Sequence, residues 1–234
     1  MRTLTVARRF NGPSGSGNGG VVAGMLAAHL PAAATVEVTL RRPPPLDELM
    51  RVEVAESTAE LFADDALVAS ARAADSAAID PVPPVTVEQA RAAMAGFEGL
   101  GEHPFATCFV CGSSRSSGDG LEVFAGPLAA GRTAAVFVAK QSHRPPDFSA
   151  GNVLTWAALD CPGGWAIGIV ERPAVLGRMT ATVSGSPGVG ELCVVVGELD
   201  RWDGRKAFSR TTLYGADGRE LGRAAATWIE LARV

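Results

Sequence analysis

Two apolar stretches, each introduced by glycine and followed by proline, constrain the fold of this chain more than any other feature of its 234 residues. The first, Val21 to Leu30, follows the loop Asn11-Gly-Pro-Ser-Gly-Ser-Gly-Asn-Gly-Gly20 and ends at Pro31. The second lies in Gly151-Asn-Val-Leu-Thr-Trp-Ala-Ala-Leu-Asp-Cys-Pro162, where Pro162, Gly163 and Gly164 are read as its stop. Such runs read as helices, and a helix that is apolar on every side has to be enclosed. A lone helix cannot enclose itself, so a sheet must wrap it.

The sequence supplies the strands. Thr35 to Arg41 alternates with period two, as a half-buried strand does. Thr3 to Arg8, Leu49 to Ala55 and Ala66 to Ala73 are further candidates, with Ala63-Asp-Asp65 as a turn. The second half repeats the order: a strand at Thr133 to Ala139, a loop, the helix Asn152 to Asp160, then strands at Met179–Ser184, Leu192–Leu199, Ala207–Tyr214 and Glu220–Glu230. Asp203-Gly204 and Asp217-Gly218 are tight-turn signals between the last three. Each half therefore reads as strand, glycine-containing loop, helix and antiparallel meander. This predicts an α+β fold, a tandem (double) hotdog with two antiparallel sheets, each wrapping a central helix. The expected units are residues 1–75, a connector over 76–107 with a short helix from Glu88 to Phe97, and residues 108–234.

Composition narrows the function. A formal net charge of −4 and the lack of a basic stripe argue against a nucleic-acid partner. No apolar run approaches a membrane span, and Arg2, Arg8 and Arg9 fall where a signal peptide needs an apolar core. A cytoplasmic protein is expected, with its four cysteines reduced.

Asp160 is the residue that breaks a local rule. Read as the last turn of a helix, its position faces carbonyl groups that disfavour a negative charge. A carboxylate kept at such a place is a candidate for function. Partial burial would raise its pKa and make it a better proton acceptor. The plain alternative is a surface aspartate closing the helix.

Short motifs carry a family resemblance. Gly17-Asn-Gly-Gly-Val-Val-Ala-Gly-Met-Leu26 resembles the GGQVVGQAL helix start of acyl-CoA thioesterase II, and Leu40-Arg-Arg-Pro43 resembles that family's LRP element. Ala158-Leu-Asp160 resembles its SLDH element, whose aspartate helps to activate the hydrolytic water. The resemblance implies a thioester hydrolase in which Asp160 is catalytic. The family's aspartate works with a glutamine and a threonine on neighbouring strands; those positions fall near Thr227 and near Glu198 to Asp200. Thr227 is thus the second catalytic candidate, holding water through its hydroxyl. Here Cys161-Pro162 follows the aspartate where the family has histidine. His103 to Gly112 is similar to a His-Pro-Phe-x-Thr-Cys-Phe-Val-Cys-Gly element of actinobacterial thioesterase-like proteins.

The remaining candidates concern substrate. Gly19 and Gly20 open the first helix, where free amides can hold an anion or polarise a thioester carbonyl; Gly151 and Asn152 open the second in the same way. Trp156, one turn before Asp160, is expected to share its face and line an acyl pocket. Arg41, Arg42 and Arg144 are candidates for the phosphates of coenzyme A, although exposed arginines are common. Cys108 and Cys111 have zinc-knuckle spacing, but no second close pair follows, so no metal is expected. No cofactor is expected beyond the coenzyme A of the substrate. The expected partner is a small acyl-CoA, with homo-oligomerisation left open. Two other readings stand beside hydrolysis: a non-catalytic acyl-CoA or lipid-binding module, and a dehydratase or hydratase using His143. For the latter, the glutamate partner of hotdog dehydratases is replaced by Ala157.

Overall fold

A computed structural model describes residues 2–75, 79–144 and 152–232. Its strands form one antiparallel sheet of eleven, in two halves joined edge to edge. The first half holds β1 (Arg2–Thr5), α1 (Gly19–Ala27), β2 (Thr35–Leu40), β3 (Leu49–Val54), β4 (Thr58–Ala63) and β5 (Ala66–Ala73). The second holds β6 (Gly126–Ala129), β7 (Arg132–Val138), α3 (Val153–Ala158), α4 (Cys161–Ala166), β8 (Ala174–Val183), β9 (Leu192–Asp203), β10 (Lys206–Gly215) and β11 (Glu220–Glu230). Between them lies α2 (Val87–Met94), capped by Thr86 and Gln89. The strand order is β1-β3-β4-β5-β2-β8-β11-β10-β9-β7-β6.

The halves meet where β2 pairs with β8, from Thr35 opposite Thr182 to Thr39 opposite Arg178. The Thr35 and Thr182 hydroxyls lie 2.7 Å apart across this join. The two expected sheets are therefore continuous, and the pairing removes two edges that would otherwise expose unpaired backbone. Among the described residues, no helix is long and apolar enough to cross a membrane.

Enclosure of α1 follows from its composition. Every residue from Gly20 to Ala27 is buried. Asn18 caps the helix, its side-chain oxygen accepting the Val21 N–H at 2.9 Å. Glycine then lets α1 lie directly on α3. A Cβ at Gly20 would fall 2.6 Å from the Trp156 carbonyl oxygen, and one at Gly24 would fall 2.8 Å from the Trp156 Cβ. The α2 helix packs on the other face of the second half, where Ala90 and Ala93 join Ala134, Val194 and Val196 in a separate small core.

The second apolar run corrects the sequence reading. It is two short helices with a break at Asp160, and Pro162 belongs to the first turn of α4. Proline is tolerated there because a first-turn N–H has no intrahelical acceptor. Carbonyls around the break find partners on the sheet: Thr211 Oγ1 donates to Leu159 O at 2.7 Å, and Thr133 Oγ1 to Pro162 O at 2.9 Å. Asp160 thus stands between the C-terminus of α3 and the N-terminus of α4, and the start of the second helix offsets the dipole conflict expected at the end of the first. Two strands, β4 and β6, were not anticipated. Each is short, and Thr58–Ala63 carries Glu60 among its apolar residues.

The glycine contacts are testable. Gly24→Val should destabilise the fold by about 1–3 kcal/mol in urea denaturation through overpacking. Gly15→Ala, in open space, should change stability by less than about 0.5 kcal/mol.

Candidate active site at the seam of the two halves

Three separate segments converge where α1 meets the break between α3 and α4. The first brings Asn18, Gly19 and Gly20, the second Cys108 and Cys111, and the third Asp160 and Cys161. Asp160 is only 3% exposed. Its Oδ2 accepts the Asn18 Nδ2–H at 2.8 Å and the Gly20 N–H at 2.9 Å. Its Oδ1 is buried and has no hydrogen-bond partner among the described residues. Burial pushes the carboxyl up to about 7, against the downward pull of the Gly20 N–H; the neighbouring Cys108 adds to the rise and Asn18 opposes it.

Asp160 lies in the wall of a cavity of about 620 Å³, within the range of small-molecule sites. All three segments contribute to it, with Trp165, Leu176 and Trp228 supplying apolar wall. The exposed Arg41 and Arg42 also line it, placing positive charge on its rim. In the first turn of α1, Gly20 N–H goes to Asp160, Val21 N–H to Asn18 Oδ1 and Val22 N–H to Asn18 O. Gly19 lines the cavity and holds the first amide of the helix, which those acceptors leave aside.

Solved structures with this arrangement of elements exist. A tesB protein from Mycobacterium avium subspecies paratuberculosis superposes with a TM-score of 0.60 at 13% identity, over 98% of this chain and 92% of its own. A conserved hot dog fold protein of unknown function from Alicyclobacillus acidocaldarius gives 0.58 at 14% identity, over 99% and 93%. A protein from Novosphingobium aromaticivorans with a provisional thioesterase assignment gives 0.59 at 17% identity, over 98% and 95%. The chain folds as a double hotdog. No family model matches the sequence, and no curated protein matches it either.

The double hotdog sorts the sequence candidates. Asp160, Gly19 and Gly20 come together, but the Gly20 amide is committed to Asp160 and is not free for substrate. Trp156 does not line the large cavity; it is buried against Gly24 and borders, with Asn152, a second cavity of about 300 Å³. The alternation of a straight helix predicted otherwise, and the break before α4 puts Trp165 on the large cavity instead. Gly151 lies outside the described residues.

Thr227 is half-buried and does not line the large cavity; Trp228 and Ile229 do, beyond an irregularity in the β11–β8 register between Thr227 and Trp228. Such a bulge re-aims the side chains that follow it. Glu198 and Asp200 are engaged by Arg210 at 2.9 and 2.7 Å, away from the cavity lining. His143 is buried with its ring edge-on to Phe109 at 6.4 Å, and it is absent from the cavity lining. Burial, then the nearby Lys140 charge, pushes its pKa down to about 4.

Sequence reasoning missed the part played by Asn18, which caps α1 and holds Asp160 with the same side chain. Its position before Gly19 and Gly20 was a legible capping signal. It also missed the third thiol. Cys161, distant in sequence, stands 3.7 Å from Cys108, sulfur to sulfur.

A carboxyl whose folded pKa is raised contributes stability below its unfolded value near 3.8, and this is lost as pH rises through about 7. In reduced, chelator-treated protein, Asp160→Asn should therefore be more stable than wild type at pH 8 by a few kcal/mol, at the rate of about 1.4 per pKa unit, and melt at a higher temperature. The advantage should shrink towards pH 4 in thermal melts across that range.

Proposed function

We propose that this protein binds an acyl-CoA thioester in the large cavity and hydrolyses it with a water activated by Asp160. The observation that carries this reading is the Asp160 carboxylate itself: buried in a cavity wall, fixed through one oxygen and left without a partner at the other. The tesB and thioesterase-named structural neighbours agree with it in fold.

Asp160 takes a proton from water as the oxygen attacks the thioester carbonyl carbon. The charge that develops on the carbonyl oxygen falls to the Gly19 N–H at the start of α1. Collapse of the tetrahedral adduct breaks the carbon–sulfur bond, and Asp160 returns its proton to the departing coenzyme A sulfur. The products are the free acid and free coenzyme A. The apolar wall around Trp165, Leu176 and Trp228 takes the acyl chain, and Arg41 and Arg42 meet the nucleotide phosphates.

A second reading keeps the ligand and removes the chemistry. Thr227 and the residues from Glu198 to Asp200 do not line the cavity, so Asp160 lacks the strand-borne partners of the family it resembles. That observation favours a non-catalytic acyl-CoA-binding double hotdog.

Thiol release from a panel of acyl-CoAs separates the two. Under the hydrolase reading, Asp160→Asn lowers kcat by about 100-fold or more and leaves KM within severalfold. Retained binding without turnover on any substrate would leave the binding module. Replacing Arg41 and Arg42 together by glutamate should raise KM for acyl-CoA by about tenfold and leave acyl-pantetheine, which lacks the nucleotide phosphates, nearly unchanged. Equal effects on both substrates would contradict a phosphate contact.

A further inference from the structure

The hydrolase reading makes no use of three buried thiols beside Asp160. The sulfur atoms of Cys108, Cys111 and Cys161 all lie within 4.8 Å of one another. The Cys108–Cys161 separation is 3.7 Å. Zinc–thiolate bonds of about 2.3 Å in a tetrahedron put neighbouring sulfurs about 3.8 Å apart, so this spacing suits a single thiophilic ion.

The surroundings are built around the cluster. Cys108 and Cys111 sit on a turn closed by the Gly112 N–H to Cys108 O bond at 2.8 Å. Gly112 permits that turn, since a Cβ there would fall 2.5 Å from the Cys108 carbonyl oxygen. Asn18 Nδ2 is directed at the Cys108 sulfur at 3.7 Å. Donors aimed at sulfur stabilise thiolates. His103 braces the turn and is not spare as a ligand: its Nε2–H donates to Cys111 O at 2.9 Å, and its Nδ1 accepts the Phe105 N–H at 3.0 Å. Packing alone does not require convergence, since Cys193, also buried, stands outside the cluster.

We propose that Cys108, Cys111 and Cys161 bind one Zn²⁺ ion as thiolates, leaving its fourth position open towards the large cavity. All three residues line that cavity, and three protein ligands with one open position is the pattern of reactive rather than purely structural zinc. Each thiol releases its proton to solvent as it binds, so affinity falls in acid. The proposal goes beyond the hydrolase reading and does not depend on it, because metal binding is measured without substrate.

The test is a Co²⁺ titration of the reduced, chelator-stripped full-length protein. The expected result is one equivalent bound, with thiolate-to-cobalt charge transfer in the near ultraviolet, strong visible bands of low-symmetry four-coordination, and displacement by Zn²⁺. Cys161→Ser should weaken binding at least tenfold and reduce the charge-transfer intensity; Cys193→Ser should bind like wild type. Cadmium NMR of the wild-type protein, whose shift counts bound sulfurs, should report three and covers the case in which Cys161→Ser does not fold. Absence of charge transfer in wild type at stoichiometric Co²⁺, or a cadmium shift reporting fewer than three sulfurs, would overturn the proposal.

Discussion

The Oδ2 atom of Asp160 accepts two hydrogen bonds from the other half of the molecule, one from the Asn18 side chain and one from the Gly20 amide. On these two contacts depend the approach of α1 to the α3–α4 break, the orientation of the carboxyl group and the position of the cavity wall. Asn18 couples them further, because its oxygen caps the helix whose Gly20 amide serves Asp160. A charged group enclosed this far is strongly disfavoured unless it is neutralised or hydrogen-bonded. Here two donors offset part of that cost, and the rest appears as a carboxyl held near neutrality.

Close approach makes the arrangement possible. Gly20 and Gly24 let α1 rest on α3, while Gly163 lies so near β10 that a Cβ there would meet Ser209 Oγ at 2.5 Å. Gly197 does the same for β9, where a Cβ would come 2.4 Å from the Pro162 carbonyl oxygen. The glycines therefore bring the helical layer down onto the sheet, and the α3–α4 break is braced by threonine hydroxyls. The catalytic candidate sits on this braced break, where its backbone is supported from below. The cavity is left between packed elements of both halves.

Much of the fold was legible because burial and alternation leave marks in the residues. The run from Val21 to Leu30, apolar but for His29 in its last turn, demanded enclosure, and period-two runs such as Thr35 to Arg41 supplied the strands. The pairing of β2 with β8 was not legible, since joining one sheet edge to another depends on register between distant segments. Asp160 stood out because it interrupts an apolar run. Its placement was misread: proline ends a helix and begins one with equal ease, and only the tertiary contacts of Leu159 and Pro162 decide between them. The same break turned Trp156 away from the large cavity and brought Trp165 to it. Cys161 looked isolated because a cluster assembled from two segments has no single spacing motif.

A crystal structure with a non-hydrolysable ketone analogue of an acyl-CoA tests the central claim most directly. The account predicts the analogue's carbonyl oxygen on the Gly19 amide, a water between its carbonyl carbon and Asp160, the acyl chain against Trp165 and Trp228, and the phosphates beside Arg41 and Arg42. An acyl chain in the smaller cavity by Asn152 and Trp156, or a carbonyl out of water-bridged reach of Asp160, would contradict it.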